Sequence, residues 1–182
     1  MKNMNRIFSY ILAFCLFVCL PIQASVEIKS LKLTTGNGIA DNSIRYVYQD
    51  SKGFIWMATL NGLSRYDGNS FVSFRPEPGK MSLSDHRIAE LYEDKNGFLW
   101  MATTPNLYNC YDLKKDCFVD FTGCGEHTQY YKDHLETSNG DIWLWLDGNG
   151  CRKVMYRDGT FSSEVYKKEK GNLPSDRVVY IY

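Results

Sequence analysis

An all-β fold of repeated four-stranded antiparallel sheets is predicted by three observations. A ten-residue block recurs 44 residues further on with seven identities. Short runs rich in aromatic and branched residues alternate with turns bearing Asp, Asn and Gly. No apolar pattern of helical period and useful length follows residue 25. Composition agrees with this reading. Hydrophobic residues make up 44% of the 182, enough to pack a core. The 13 Tyr, 10 Phe and 4 Trp are residues that strands favour.

The chain begins with a segment of a different kind. Residues 1–24 read as a secretory signal peptide: Lys2 and Arg6 form a positive start, Ile7 to Leu20 is apolar, and Pro21 to Ala24 offers a cleavage point. The apolar run is short for a membrane anchor, which needs about 18–20 residues. Its removal takes two cations and no anion from a chain with 21 Lys+Arg and 21 Asp+Glu. A slightly acidic mature chain argues against a surface built to grip nucleic acid. Cys110, Cys117, Cys124 and Cys151 remain, in a compartment that permits disulfides.

Repetition defines the rest. Asp50 to Thr59 recurs as Asp94 to Thr103, and Thr137 to Trp143 is a weaker third copy. The segment before each copy repeats as well: Asp41 to Tyr48 matches Asp85 to Tyr92, and Ser175 to Tyr182 opens in the same way. In the first unit, strands are expected at Ile44 to Gln49, Phe54 to Thr59, Leu63 to Asp67 and Phe71 to Arg75. Apolar residues on both sides of Ile44 to Gln49 suggest a strand covered on both faces. Asp50 and Gly53 suit a type I turn closed by a residue of positive φ. Asn61-Gly62 signals a two-residue hairpin, and Pro76 and Pro78 end the ladder. The second unit predicts strands at Leu107 to Asp112 and Cys117 to Phe121. The third predicts them at Ile142 to Leu146, Arg152 to Tyr156 and Phe161 to Tyr166.

Four antiparallel strands in about 44 residues are the pattern of a β-propeller blade. The expected organisation is a lead-in strand over residues 25–38, blade 1 over 39–79, blade 2 over 80–123, blade 3 over 124–170 and the start of a fourth over 171–182. That is an incomplete ring of three blades plus one strand. Trp56, Trp100 and Trp143 recur at one strand position and are expected to pack between blades, with Gly53, Gly97 and Gly140 closing the preceding turns.

Function is expected on loops rather than on the scaffold. The loops entering each first strand and joining the second and third strands carry Asp41, Asn42, Asn61, Asp85, His86, Arg87, Asn106, Asp147 and Asn149. Such side chains suit a polyhydroxylated ligand, although Asp41, Asn42 and Asp85 also suit turn capping. Trp145 stands where the other units have Ala58 and Ala102, either as a platform for a sugar or as a repacked blade contact. Asp94 and Asn96 lack the further carboxylates of a calcium loop. Cys110 and Cys117 would sit diagonally across a hairpin, poor geometry for a disulfide. His86, His127 and His134 have no metal spacing, and no catalytic constellation or cofactor motif is present. The chain is therefore read as no enzyme, with no cofactor and no metal site.

These repeats resemble the two-component regulator propeller repeat, through Asn42, Ile44, Asp50, Gly53, Trp56, Met57, Ala58, Thr59, Gly62, Leu63, Tyr66 and Asp67. Leu33 to Ile44 is similar to the opening of such sensors. The resemblance implies a periplasmic sensor of a hybrid two-component regulator, inner-membrane anchored at full length, that detects oligosaccharides from polysaccharide breakdown. It implies as partners the rest of the same polypeptide, an oligosaccharide and, in the full-length protein, a second copy. It implies histidine kinase activity only for a full-length relative. The competing readings are a secreted lyase or glycan-active enzyme, and a secreted propeller for protein contacts.

Overall fold

A computed structural model describes residues 30–104, 107–121, 131–146 and 148–178. The leader at 1–24, Asn106, Cys124, His127, Asp147 and residues 179–182 lie outside them. Two compact units divide the chain, 1–32 and 33–182. Residues 30–32 of the first carry no regular element. Among the described residues no helix is long and apolar enough to cross a membrane.

The second unit consists of three four-stranded antiparallel sheets, each formed by strands consecutive in sequence. Blade 1 is β1 (Ile44–Gln49), β2 (Ile55–Thr59), β3 (Gly62–Tyr66) and β4 (Phe71–Phe74). Blade 2 is β5 (Ile88–Glu93), β6 (Phe98–Thr103), β7 (Tyr108–Asp112) and β8 (Cys117–Val119). Blade 3 is β9 (Tyr131–Glu136), β10 (Ile142–Leu146), β11 (Cys151–Arg157) and β12 (Thr160–Tyr166). The expected strands are found with ends displaced by one or two residues.

The repeated block owes its identities to one device. The Asp50 carboxylate accepts the backbone N–H groups of Lys52 and Phe54, both at 2.9 Å, and the Trp56 indole N–H at 2.7 Å. Asp94 does the same for Asn96, Phe98 and Trp100 at 2.9, 3.0 and 2.8 Å. Gly53 and Gly97 close these turns at φ 89° and 85°, where a side chain would be strained. These are turn carboxylates whose oxygens are engaged by three protein donors. At the other end of the strand, Thr59 Oγ1 donates to the Gly62 carbonyl at 2.6 Å, and Thr103 Oγ1 to that of Leu107 at 3.0 Å. The repeated Thr thus ties each hairpin.

Blades stack through alternate faces. Trp56 is fully buried, 5.4 Å from Tyr111 of blade 2 between ring centres. Its seam also holds Leu63, Leu83, Ile88 and Leu91. Trp100 is 2% exposed and packs edge-on against Phe121, and against Phe161 of blade 3. Trp143 is only half-buried, with Tyr166 beside it and Lys153 over its ring. Trp56 and Trp100 face the following blade, and its sheet is what buries them.

Three expectations are corrected. Strand β1 is not covered on both faces: Ile44 and Val47 are 41% and 56% exposed, while their blade 2 counterparts Ile88 and Leu91 are 1% and 2% exposed. The latter are buried against blade 1, and no described sheet lies against Ile44 and Val47. The lead-in is not a strand where it is described: residues 30–33 are irregular and Thr35–Asn37 is a 3-10 turn. A strand needs a ladder partner, and none lies beside it among the described residues. The first hairpin turns at Leu60-Asn61, one residue earlier than expected, because Thr59 pairs with Gly62.

Each first strand also carries an irregularity that repetition of residue type did not reveal. The ladder shifts register at Arg45, at Ala89 and at Lys132. A bulge leaves two consecutive residues on the open side. Arg45-Tyr46, Ala89-Glu90 and Lys132-Asp133 are all exposed.

Candidate functional site

The loop face is assembled by backbone hydrogen bonds between segments far apart in sequence. Leu60 N–H reaches the Ser43 carbonyl at 3.3 Å, joining the hairpin to the lead-in of its own blade. Gly62 N–H reaches the His86 carbonyl at 2.6 Å, joining the same hairpin to the lead-in of blade 2. Thr104 N–H donates to the Arg87 carbonyl at 2.8 Å. Asp41, Asn42, Asn61, Asp85, His86 and Arg87 therefore share one rim across blades 1 and 2.

Their chemistry divides them. Asp41 accepts the Ser43 N–H at 2.6 Å, and Asp85 accepts the Arg87 N–H at 2.8 Å, two copies of one Asx turn. The Arg87 guanidinium also grips Asp85 through two bonds, at 3.1 and 3.2 Å. That hydrogen bonding holds the Asp85 carboxyl below the usual carboxylate range against the opposing effect of burial. Asn42 turns back to Thr35, accepting its N–H at 2.9 Å. His86 stands out with 53% of its side chain exposed and only a long approach, 3.9 Å, to Asp85. The Asn61 side chain is likewise presented to solvent. Neutral donors and acceptors beside a fixed Arg–Asp pair can order hydroxyl groups, while nothing in the set is placed to act as a nucleophile with its base.

Trp145 lies apart from this group, at the inner part of β10 in blade 3. It pairs with Cys151 and Asp133 and is 5% exposed, so its ring offers little open surface. Gly140 closes the blade 3 turn at φ 81°, where Thr137 replaces the turn Asp. Asp141 is held there by Lys153 at 3.0 Å and by Arg157. Cys110 and Cys151 are buried and Cys117 is exposed, all as free thiols. The diagonal placement of Cys110 and Cys117 follows from the Cys110–Val119 and Asp112–Cys117 pairs.

A second polar cluster escaped the sequence reading. The seam between blades 1 and 2 holds Ile88 and Leu91 with Tyr48 beside them, but that between blades 2 and 3 carries Tyr92, Tyr108, Tyr131 and His134. His134 Nδ1 lies 3.2 Å from the Tyr108 hydroxyl, and its ring centre is 4.8 Å from that of Tyr92. Tyr92 donates to Glu136. Burial pushes the Tyr108 phenol up, with Glu90 and Asp133 adding to it. The legible signal was the repeat itself: His134 pairs with Leu144 as Leu91 pairs with Met101, so a histidine stands at an aliphatic position.

Comparison with known proteins follows these elements closely. Residues 38–61 and 82–104 match the two component regulator propeller family. The matched segments hold the first two strands of blades 1 and 2. Among solved structures, the chain is similar to the extracellular domain of the hybrid two component system BT3049 from B. thetaiotaomicron, with TM-score 0.60 and 23% identity over 81% of this chain and 21% of that one. It is also similar to the extracellular domain of BT4673 from the same organism, described once as a hybrid two component and once as a one component system. There the TM-scores are 0.54 and 0.51, with 26% and 27% identity. Those matches cover 82% and 74% of this chain. The chain spans about a fifth of the length of these structures. No curated protein matches it. The likeness shows a β-propeller fold for these sheets, which among the described residues are not closed into a ring.

Proposed function

We propose that this chain is a propeller segment of the extracellular sensor of a hybrid two-component signalling protein, and that its loop rim binds oligosaccharides released from polysaccharides. Residues 1–24 direct export to the periplasm in this reading. Ligand binding biases a kinase carried elsewhere in the full-length protein, and transcription follows from the phosphorelay. The chain itself performs no catalysis.

The observation that supports this most is a coincidence of two kinds of evidence. The two segments that match the two component regulator propeller family, 38–61 and 82–104, are the ones that place Asp41, Asn42, Asn61, Asp85, His86 and Arg87 on one rim. Loops held on a rigid scaffold are where binding residues concentrate. The extracellular domains of BT3049 and BT4673 supply the signalling context by analogy.

The full chain, applied to an array of plant- and host-derived oligosaccharides, should retain at least one class above background. An empty array counts against the oligosaccharide reading. Retention by a variant lacking the His86 and Arg87 side chains would place the site elsewhere.

A further inference from the structure

The amide of the hairpin glycine is a latch between blades, and we infer that it fixes the segment leading into the next blade onto the blade already formed. The basis is a bond that occurs twice. Gly62 N–H, at the start of β3, donates to the His86 carbonyl at 2.6 Å. Gly150 N–H, just before β11, donates to the Asp176 carbonyl at 2.8 Å. His86 and Asp176 occupy the same place in the repeat, each directly following a capping residue. Asp85 accepts the Arg87 N–H at 2.8 Å, and Ser175 Oγ accepts the Arg177 N–H at 3.1 Å. Two different capping side chains thus aim two carbonyls at two equivalent amides.

In blades 1 and 3 the position suits glycine, for reasons of space as well as angle, whereas in blade 2 Leu107 stands there and its N–H goes to Thr103 Oγ1 at 3.2 Å. Gly62 and Gly150 have φ of 116° and 78°. A Cβ on Gly62 would lie 2.6 Å from the Phe74 carbonyl oxygen, and one on Gly150 would collide with the Tyr166 carbonyl. In both blades the fourth strand of the same sheet fills the space, leaving the N–H directed toward the next lead-in.

The two lead-ins differ in what else holds them. The one into blade 2 is gripped from both sides: by Gly62 of blade 1, and by Asn109 of blade 2, which accepts the Ser84 N–H at 3.1 Å. The segment 171–178 is gripped by blade 3 and by its own turns. Asn172 accepts the Lys167 N–H at 2.8 Å, and the Asp176 carboxylate accepts that of Lys168 at 2.6 Å. The segment is therefore seated with contacts from the blade it leaves. The latch stands whether or not the rim binds a ligand.

Residue-resolved hydrogen–deuterium exchange on the full chain tests this. The Gly62 and Gly150 amides should both exchange at least about 100-fold more slowly than an open amide. Ser175→Ala combined with Asn172→Ala should speed Gly150 exchange by about tenfold and leave Gly62 unchanged. Asp85→Ala, which loosens the other lead-in, should do the reverse. A freely exchanging Gly150 amide in the unaltered chain, or one unmoved by the paired substitution while Gly62 responds to Asp85→Ala, would overturn the latch at blade 3.

Discussion

The indole N–H of Trp100 lies 2.8 Å from the Asp94 carboxylate, and the equivalent pair Trp56–Asp50 is at 2.7 Å. One bond couples a turn to a seam: the carboxylate that shapes the turn also orients the ring that the next blade covers. Trp100→Ala removes the ring and leaves the carboxylate buried with one donor fewer. It should cost about 3–5 kcal/mol in chemical denaturation. Trp143→Ala, at the same repeat position but half-buried, should cost less than about 2 kcal/mol. Equal losses at both sites would contradict seam burial as the origin of the repeat.

Part of the acid sensitivity should reside in blade 3. Burial acts to raise the Asp141 carboxyl, but the bonds and charges of Lys153 and Arg157 outweigh it and hold that carboxyl below its ordinary value. A carboxylate depressed in the fold stabilises above its unfolded pKa, about 4, and that stabilisation is lost as pH falls further. Asp141→Asn should therefore cost about 1.5–3 kcal/mol at neutral pH. The difference from the unaltered chain should close below about pH 3. Asp94 runs the other way, because burial raises its carboxyl and favours the protonated form in the fold. Its contribution grows as pH falls. Stability curves of the two Asn variants between acid and neutral pH check both signs.

Arg65 crosses from blade 1 to Asp116 of blade 2, whose carboxyl is held low chiefly by its hydrogen bond to Arg65. The guanidinium also lies over Phe54 at 4.8 Å and over Trp56 at 5.4 Å. Asp116 is 60% exposed, so a double-mutant cycle should return a coupling of about 0.5–1 kcal/mol that shrinks with salt. Arg65→Lys should lose more than that coupling, since an ammonium cannot stack as the planar group does. A variant as stable as the parent would show the ring contacts to be idle.

Gly62→Ala should destabilise blade 1 by about 1–3 kcal/mol through its positive φ. The short approach to the Phe74 carbonyl adds to this. Gly68→Ala, with φ 98° but open space around it, isolates the angular part. Thermal unfolding of the two variants should rank Gly62 as the costlier site. The reverse order would deny the close approach.

The strands and turns were legible because the repeat writes them twice. Asp50, Gly53, Trp56 and Thr59 each make the same bond as their blade 2 counterparts, so identity of sequence carried identity of geometry. Burial was less legible. Ile44 and Val47 read as core residues by type, and the structure exposes them because burial at those positions comes from a neighbouring sheet. The bulges at Arg45, Ala89 and Lys132 left no mark at all, since three unlike residues occupy one irregular position. The rim was legible as a set of loops, and so was the turn-capping use of Asp41 and Asp85; the partner of Asn42 was not. That partner, Thr35, is defined by backbone course rather than by residue type. His134 was missed because a pattern search rewards what repeats, and it is an exception to the pattern.

Titration of the full chain with the oligosaccharide class it retains on an array, followed by calorimetry, bears most directly on the loop rim as the ligand site. Saturable binding that weakens by about tenfold in a His86→Ala, Arg87→Ala variant, with the fold intact by circular dichroism, is the expected result. Binding of equal strength in that variant, or no heat with any oligosaccharide, would contradict it.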